Sequence, residues 1–220
     1  MIKISNRLKS LVPYVNHDDI VMDVGCDHAL LDIYLVQNNI LDKVYVCDVN
    51  PNALQNGIEN IQRNNLEDKI FPVLGYGIEK AGDYNIDTLI ISGMGSKNII
   101  SILDSPNLNR VYKLILQSNN NHYELRKDLV AKGFSIIVEE VIPDGKKTYI
   151  NIIAGRERFP KKYTEEELEF GPILMKDKNN LNYFKTLRED IKKIYEKSRA
   201  INLKEQINTL DKIIDELSNL

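Results

Sequence analysis

Short apolar runs that stop at a glycine or an acid, each followed by residues at helical spacing, recur from residue 19 to residue 154, and this alternation constrains the fold more than any other feature. The first run is Asp19-Ile20-Val21-Met22-Asp23-Val24-Gly25, followed by a helix over Ala29 to Asn38. Lys43 to Asp48 is a second strand, and Pro51 to Asn64 a second helix with proline at a favoured first position. Ile70 to Leu74 and Thr88 to Ser92 read as strands three and four, each ending in a glycine-rich turn. Ser96 is the expected cap of a helix over Lys97 to Leu103. Lys113 to Gln117 is a fifth strand, and His122 to Lys132 a helix ended by Gly133. Phe134 to Ile142 and Thr148 to Ala154 are strands six and seven, joined across Asp144-Gly145 by a hairpin rather than a helix. Alternation predicts a largely parallel, Rossmann-like sheet with helices on both faces, and the hairpin requires one antiparallel strand at its end. Ahead of all this, Ser5 to Val12 reads as a short helix with Leu8, Leu11 and Val12 on one face, Lys3, Arg7 and Lys9 opposite, and Pro13 as its stop.

After Gly155 the strand signal ends. Phe184, Leu187, Ile191 and Ile194 form one apolar seam, and Ala200, Leu203, Ile207, Leu210, Ile214 and Leu217 a second. Their registers do not match across Glu196 to Asn202, so a turn there and an antiparallel helical hairpin are expected. The chain is thus read as two domains, 1–158 and 159–220. Its net charge is only −3, but residues 176–204 carry nine Lys and Arg against four Asp and Glu. Such a basic helical stretch either binds a polyanion or is a solvated face laced with ion pairs. No apolar run approaches the ~18 residues of a membrane span. The N-terminus lacks the apolar stretch of a signal peptide, and two cysteines cannot build a disulfide scaffold, so a cytoplasmic protein is expected. His17, His28 and His122 lack metal-ligand spacing, and no metal is expected.

Four turns carry the chemistry. At Asp23-Val24-Gly25-Cys26-Asp27-His28, Gly25 permits the backbone to approach a ligand. The dinucleotide pattern G-x-G-x-x-G fails, because its later positions hold Asp27 and Leu30. Asp27 would repel a pyrophosphate but suits a ligand carrying an ammonium and a sulfonium, which points to S-adenosylmethionine rather than NAD. Asp48 ends the second strand about the expected distance further on; it either accepts both ribose hydroxyls, with Val49 beside it, or caps the helix opening at Pro51. Gly75-Tyr76-Gly77 is either a border of the adenine ring or a surface turn. Ser92-Gly93-Met94-Gly95 sits where the strand order should reverse, beside Gln117-Ser118-Asn119, whose amides suit a base edge. Cys26 and Cys47 read as small buried residues on neighbouring strand ends.

Read together, D-V-G-C-D-H-A-L-L at 23–31, G-x-G at 75–77, I-S-G-M-G at 91–95, L-Q-S-N at 116–119, D-G-K-x-x-Y at 144–149 and F-G-P at 170–172 resemble the bacterial tRNA (adenine-22-N1)-methyltransferase family. The sequence departs from that family at Tyr76, where an acid is usual, at Ser118, where proline is usual, and at Asp48, where Glu is common. The resemblance implies a class I methyltransferase domain over 1–158, a coiled-coil domain over 159–220, S-adenosylmethionine as donor and tRNA as acceptor. It places Gly25, Asp27, His28, Asp48, Val49, Gly75, Tyr76, Gly77, Gly93 and Met94 at the donor. Asp27, Met94 and Asn119 stand at the reaction centre, with Gln117 and Tyr149 at the target adenine. Arg7, Lys192 and Lys193 are expected to grip the tRNA backbone, and the enzyme to act as a monomer. The rival readings are a small-molecule or protein methyltransferase on the same fold, an NAD-dependent oxidoreductase, and a non-catalytic coiled-coil interaction module.

Overall fold

The computed structural model describes residues 1–145 and 147–220; Lys146, inside the 144–149 motif, lies outside the described residues. The chain forms two compact units, Met1–Lys161 and Lys162–Leu220.

The first unit is built on seven strands: β1 (Val21–Val24), β2 (Val44–Asp48), β3 (Ile70–Leu74), β4 (Thr88–Met94), β5 (Lys113–Ser118), β6 (Phe134–Asp144) and β7 (Lys147–Arg156). They lie in the order β3-β2-β1-β4-β5-β7-β6. Only β7 runs antiparallel, between β5 and β6, so the required reversal falls on the last strand. β1 is central and buried along its whole length, Asp23 included, as a strand covered on both faces of a parallel sheet should be. The order reverses between β1 and β4, which opens a crevice at their carboxyl ends.

The helices α1 (Asn6–Lys9), α2 (Leu30–Gln37), α3 (Pro51–Arg63), α4 (Ser96–Leu103) and α5 (His122–Ala131) complete this unit. α1 is a single turn, shorter than the apolar spacing predicts. Pro13 does not end it but sits inside the separate 3-10 turn Val12–Tyr14 that follows, where its fixed φ is accommodated. One open alternative at a helix start is closed, and one expected cap is reassigned. α3 is capped by Asn50, whose side chain accepts from the Asn52 amide, so Asp48 is not its cap. α4 begins at Ser96, whose hydroxyl does not cap; it is fully buried and bonds Ser118 and the Asn120 carbonyl, tying the ends of β4 and β5 together.

The second unit contains α6 (Glu165–Phe170), α7 (Leu181–Ser198) and α8 (Ile201–Ser218). α6 opens with a capping box between Thr164 and Glu167. The expected turn is Arg199 in the left-handed region at φ 54 followed by Ala200. Phe184, Leu210 and Leu217 are buried as the seams predict. Ile194, however, is 56% exposed, and Ile213 takes the buried place expected of Ile214. Ile213 and Ile214, three and four residues after Leu210, lie on either side of the Leu210–Leu217 line, so both neighbour the seam and the packing buries Ile213.

Candidate functional site

The carboxyl ends of β1, β2 and β4 line two clefts that share Gly25 and Met94 as a wall. Gly25 has φ 80, and a Cβ there would lie 2.0 Å from the Met94 methyl carbon. The glycine therefore serves the Met94 side chain as well as the turn. Met94 arrives there because β4 runs two residues beyond its predicted end, with a register shift between Ser92 and Met94 that leaves Gly93 as a bulge at φ 77.

The turn after β1 is tightly held. The Gly25 and Cys26 amides both donate to the Cys47 carbonyl, at 2.8 and 3.3 Å. Asp27 and Ala29 adopt φ 46 and 51, a conformation that costs non-glycine residues energy and that clusters at functional sites. Asn60 of α3 fixes the strained turn by donating to the His28 carbonyl at 3.0 Å. Asp27 and His28 face one another at 3.5 Å, both about half exposed. Burial raises the Cys47 thiol to about 11 and the Cys26 thiol further still, so neither supplies a thiolate.

The larger cleft, about 590 Å3, is lined by Asp48, Val49, Tyr76, Gly77 and Glu79 on one side and by Ser101, Ile102 and the Asp104–Asn107 turn on the other. Asp48 accepts the Asn50 amide on Oδ1 at 2.8 Å. Neither lysine nor arginine is among its lining residues, while three carboxylates are. A pyrophosphate is repelled there; a neutral nucleoside with a cationic tail is not. The smaller cleft, about 300 Å3, is lined by Asp23, Asp27, His28, Arg7, Gly93 and Met94 among others. Acids beside an open diol-sized wall fit the sulfonium, ammonium and ribose of S-adenosylmethionine.

Among the expected residues, Gly25, Asp48, Val49, Tyr76, Gly77 and Met94 meet in the larger cleft, and Gly25, Asp27, His28, Gly93, Met94 and Arg7 in the smaller. Gly75 stands just outside; its carbonyl, like that of Gly77, accepts the Cys47 thiol. Asn119 is exposed beside them, its amide donating to the Met94 carbonyl at 3.2 Å. Gln117 is fully buried rather than open to a base edge, because its amide is already engaged by Arg7 and Asn151. Arg7 is not on an outer basic face: a one-turn helix turns its guanidinium inward, over the Tyr149 ring at 5.2 Å. Lys192 and Lys193 lie on α7 in the second unit.

Sequence reasoning passed over Asp32. It lies on α2, fully buried in an otherwise apolar face, beside Asp23 of β1. Neither Asp32 oxygen has a partner if both carboxyls are ionised, and two carboxylates can bond only through a shared proton. Burial, then mutual repulsion, pushes Asp32 far up; burial chiefly brings Asp23 to about 7. The folded chain thus keeps a proton that the unfolded chain loses near pH 4, and stability falls as pH rises from about 4 to about 7. Asp32→Asn keeps the shape and a donor but removes the titration. Thermal melts should show it more stable than wild type at pH 8, by roughly 2–4 °C for each kcal/mol recovered. The gain should vanish near pH 4; no gain at pH 8 would contradict the shared proton.

Sheet order, strained turn and paired acidic clefts together define a class I, S-adenosylmethionine-dependent methyltransferase. A family model described as TrmK, tRNA (adenine(22)-N(1))-methyltransferase, matches residues 21–219. The chain belongs to that family, whose members methylate N1 of an adenine in tRNA. The tRNA (adenine(22)-N(1))-methyltransferase of Bacillus subtilis is 25% identical over 228 residues, covering 100% of this chain and 96% of that protein. The structure of M. capricolum TrmK in complex with S-adenosyl-homocysteine is 29% identical, with a TM-score of 0.85 over 96% of this chain and 98% of that one. Streptococcus pneumoniae Sp1610 in complex with S-adenosyl-L-methionine is 27% identical, with a TM-score of 0.86 over 96% of this chain and 100% of that one.

No group of three or more metal-ligating side chains is present, and no helix is long and apolar enough to cross a membrane, among the described residues.

Proposed function

We propose that the two clefts together hold the methyl donor and that the acceptor adenine enters beside Gly93, Met94 and Asn119. The observation that carries this reading is the charge of the larger cleft at the switch point of the sheet: Asp48 and Glu79 line it with no lysine or arginine beside them, while its third carboxylate, Asp104, pairs with Lys132 at 2.7 Å. Asp48 accepts the ribose hydroxyls; Val49, Gly75, Tyr76 and Gly77 border the adenine ring of the donor. Asp27, next to His28, supplies negative charge near the cationic tail. When bound, S-adenosylmethionine supplies an electrophilic methyl group, which adenine N1 takes with its free lone pair.

N1 lies on the Watson–Crick edge, so the target base must leave its stack or pair. No general base is required, because N1 carries no proton to remove. What the chain contributes is alignment and charge. The Met94 carbonyl and the Asp27 carboxylate lie near the base as it becomes a cation, and the Gly93 bulge keeps the wall thin. Gln117 acts through Arg7 and not on the base. Tyr149 lines neither cleft and carries Arg7 over its ring; the extruded adenine is assigned to the ring's other face. The same reading places the enzyme in the cytoplasm, acting as a monomer on tRNA without a metal; its two free buried cysteines are compatible with a reducing compartment.

Incubation with unmodified tRNA and labelled donor, followed by nucleoside mass spectrometry, should give 1-methyladenosine at position 22. Label in another nucleoside, or only in small molecules, would refute the proposal. For the second unit, we assign Lys192 and Lys193 to the tRNA backbone. Among the described residues Lys192 makes no ion pair, and Lys193 is held near Asp190 at 2.9 Å on the exposed side of α7. Reversing both charges should weaken tRNA binding and flatten the log–log salt dependence by about one unit per lysine. An unchanged slope in filter-binding titrations would remove them from the interface.

A further inference from the structure

Three exposed asparagines, Asn119, Asn120 and Asn121, follow β5, and two serines hold them from beneath. Ser96 opens α4 and Ser118 ends β5; both are fully buried. Their hydroxyls meet at 2.8 Å, and both lie against the Asn120 carbonyl, Ser118 at 2.9 Å. The Asn120 amide donates back to Ser118 Oγ at 3.4 Å, and Asn120 Oδ1 accepts the Ser96 amide at 3.2 Å. From the other side, His122 lies 3.1 Å from the Ser118 carbonyl. Burial lowers this imidazole to about 4, so it is neutral and donates through Nε2. Gly95 completes the seat, since a Cβ there would stand 3.3 Å from Asn120 Oδ1. Asn121, at φ 47, then turns the chain into α5.

The cluster closes on Asn120 and leaves the Asn119 carboxamide out of it. Asn119 is tied instead through its backbone amide, which donates to the Met94 carbonyl at 3.2 Å, across the bulge that ends β4. Asparagine tolerates left-handed as well as extended backbone, so a turn of three would otherwise sample several positions. Burying two hydroxyls is costly unless they are bonded, and a plain surface turn needs neither. Ser118 also stands where the family usually has proline; a ring there fixes the backbone covalently, and in this chain hydrogen bonds take over that task. Neither serine lines a cleft, so both act at a distance from the ligands. We infer that the Ser96–Ser118 pair is a positioning clasp for methyl transfer: it seats the 119–121 turn on the end of β4, so that the Asn119 carboxamide and the Met94 carbonyl keep one spacing as the acceptor base arrives. This rests on the proposed entry of the adenine beside Gly93, Met94 and Asn119.

Single-turnover methylation of unmodified tRNA by the full chain tests the clasp, with calorimetric S-adenosylhomocysteine affinity measured on the same variants. Ser118→Ala should slow the chemical step about 10- to 100-fold, the order of loss that a small misplacement causes. Its affinities for S-adenosylhomocysteine and tRNA should change less than about threefold, which also shows that the variant is folded. Asn119→Ala should slow the step at least as much, and adding Ser118→Ala to it should cost little more, because the clasp works only through Asn119. A serine that merely stabilises the fold would slow both backgrounds equally, so additive losses overturn the clasp, as does a Ser118→Ala enzyme as fast as wild type. Ser118→Pro restores a fixed backbone and should recover most of the rate. A proline variant that binds S-adenosylhomocysteine normally but reacts as slowly as the alanine one overturns it too. Should Ser118→Ala fail to fold, Ser96→Ala removes the other hydroxyl and carries the same comparison. An Asn119→Ala enzyme as fast as wild type sinks the acceptor placement itself, and the clasp with it; that variant is measured first.

Discussion

Asp48→Ala should weaken S-adenosylhomocysteine binding by about 100-fold while leaving the thermal midpoint nearly unchanged. The side chain ends β2 in the larger cleft, with Oδ1 already taken by the Asn50 amide. The remaining acceptor capacity of a charged carboxylate faces the space where a ribose would sit, and hydrogen bonds to charged groups contribute about 1.5–3 kcal/mol each. Stability should survive because α3 has its own cap in Asn50 and its own proline at the first position. Asp48→Asn separates charge from shape: it keeps the turn and a neutral acceptor, and should fall between wild type and Ala. Calorimetric affinities with paired melts check both. A loss below about threefold in the Ala variant would mean that Asp48 does not bind the ribose.

Arg126→Met should cost about 3–5 kcal/mol of stability, the usual result of breaking a buried ion pair. Arg126 of α5 and Glu139 of β6 meet at 2.7 Å, with side-chain exposures of 1% and 0%. Taking the guanidinium away removes a charge-assisted hydrogen bond from a carboxylate whose side chain is 0% exposed. For a chain of this size the thermal midpoint should drop by about 6–20 °C. The double change Arg126→Met with Glu139→Leu should recover much of the loss, because an apolar pair of similar volume avoids the desolvation of both ions. If the single variant melts within 2 °C of wild type, the pair does not support α5 against β6. Neither residue touches the clefts, so S-adenosylhomocysteine affinity at low temperature should be retained, which distinguishes this loss from that at Asp48.

Local signals carried much of the site. Gly25, Asp48 and the glycines at 75–77 and 93–95 were recognisable because each closes a strand, where a parallel sheet puts its ligands. The side chains of Arg7 and Gln117 were visible as types but not as a pair. Arg7 reads as one more charge on a basic helix, and Gln117 as an amide free for a base; only β5 brought beneath α1 couples them. Asp32 was hidden because helical spacing marks its neighbours as core, and an acid among them has meaning only beside Asp23. The far wall of the larger cleft, Ser101 to Asn107, has no chemical signature at all. The Ser96 and Pro13 assignments failed for a common reason: a serine before a helix and a proline after one are judged from neighbours in sequence, whereas here Ser118, Asn120 and a second turn compete for them.

By itself, the order of apolar runs, glycines and acids determined a doubly wound sheet closed by a hairpin, and the ends of its strands as the place of chemistry. Those are consequences of backbone hydrogen bonding and side-chain period, which act over a few residues. The tertiary structure alone decided which polar groups face one another across the crevice, whether a carboxyl keeps its proton, and which way a guanidinium points. These depend on distance and on exclusion of water, and residues 110 positions apart acquire either one only when the chain has packed.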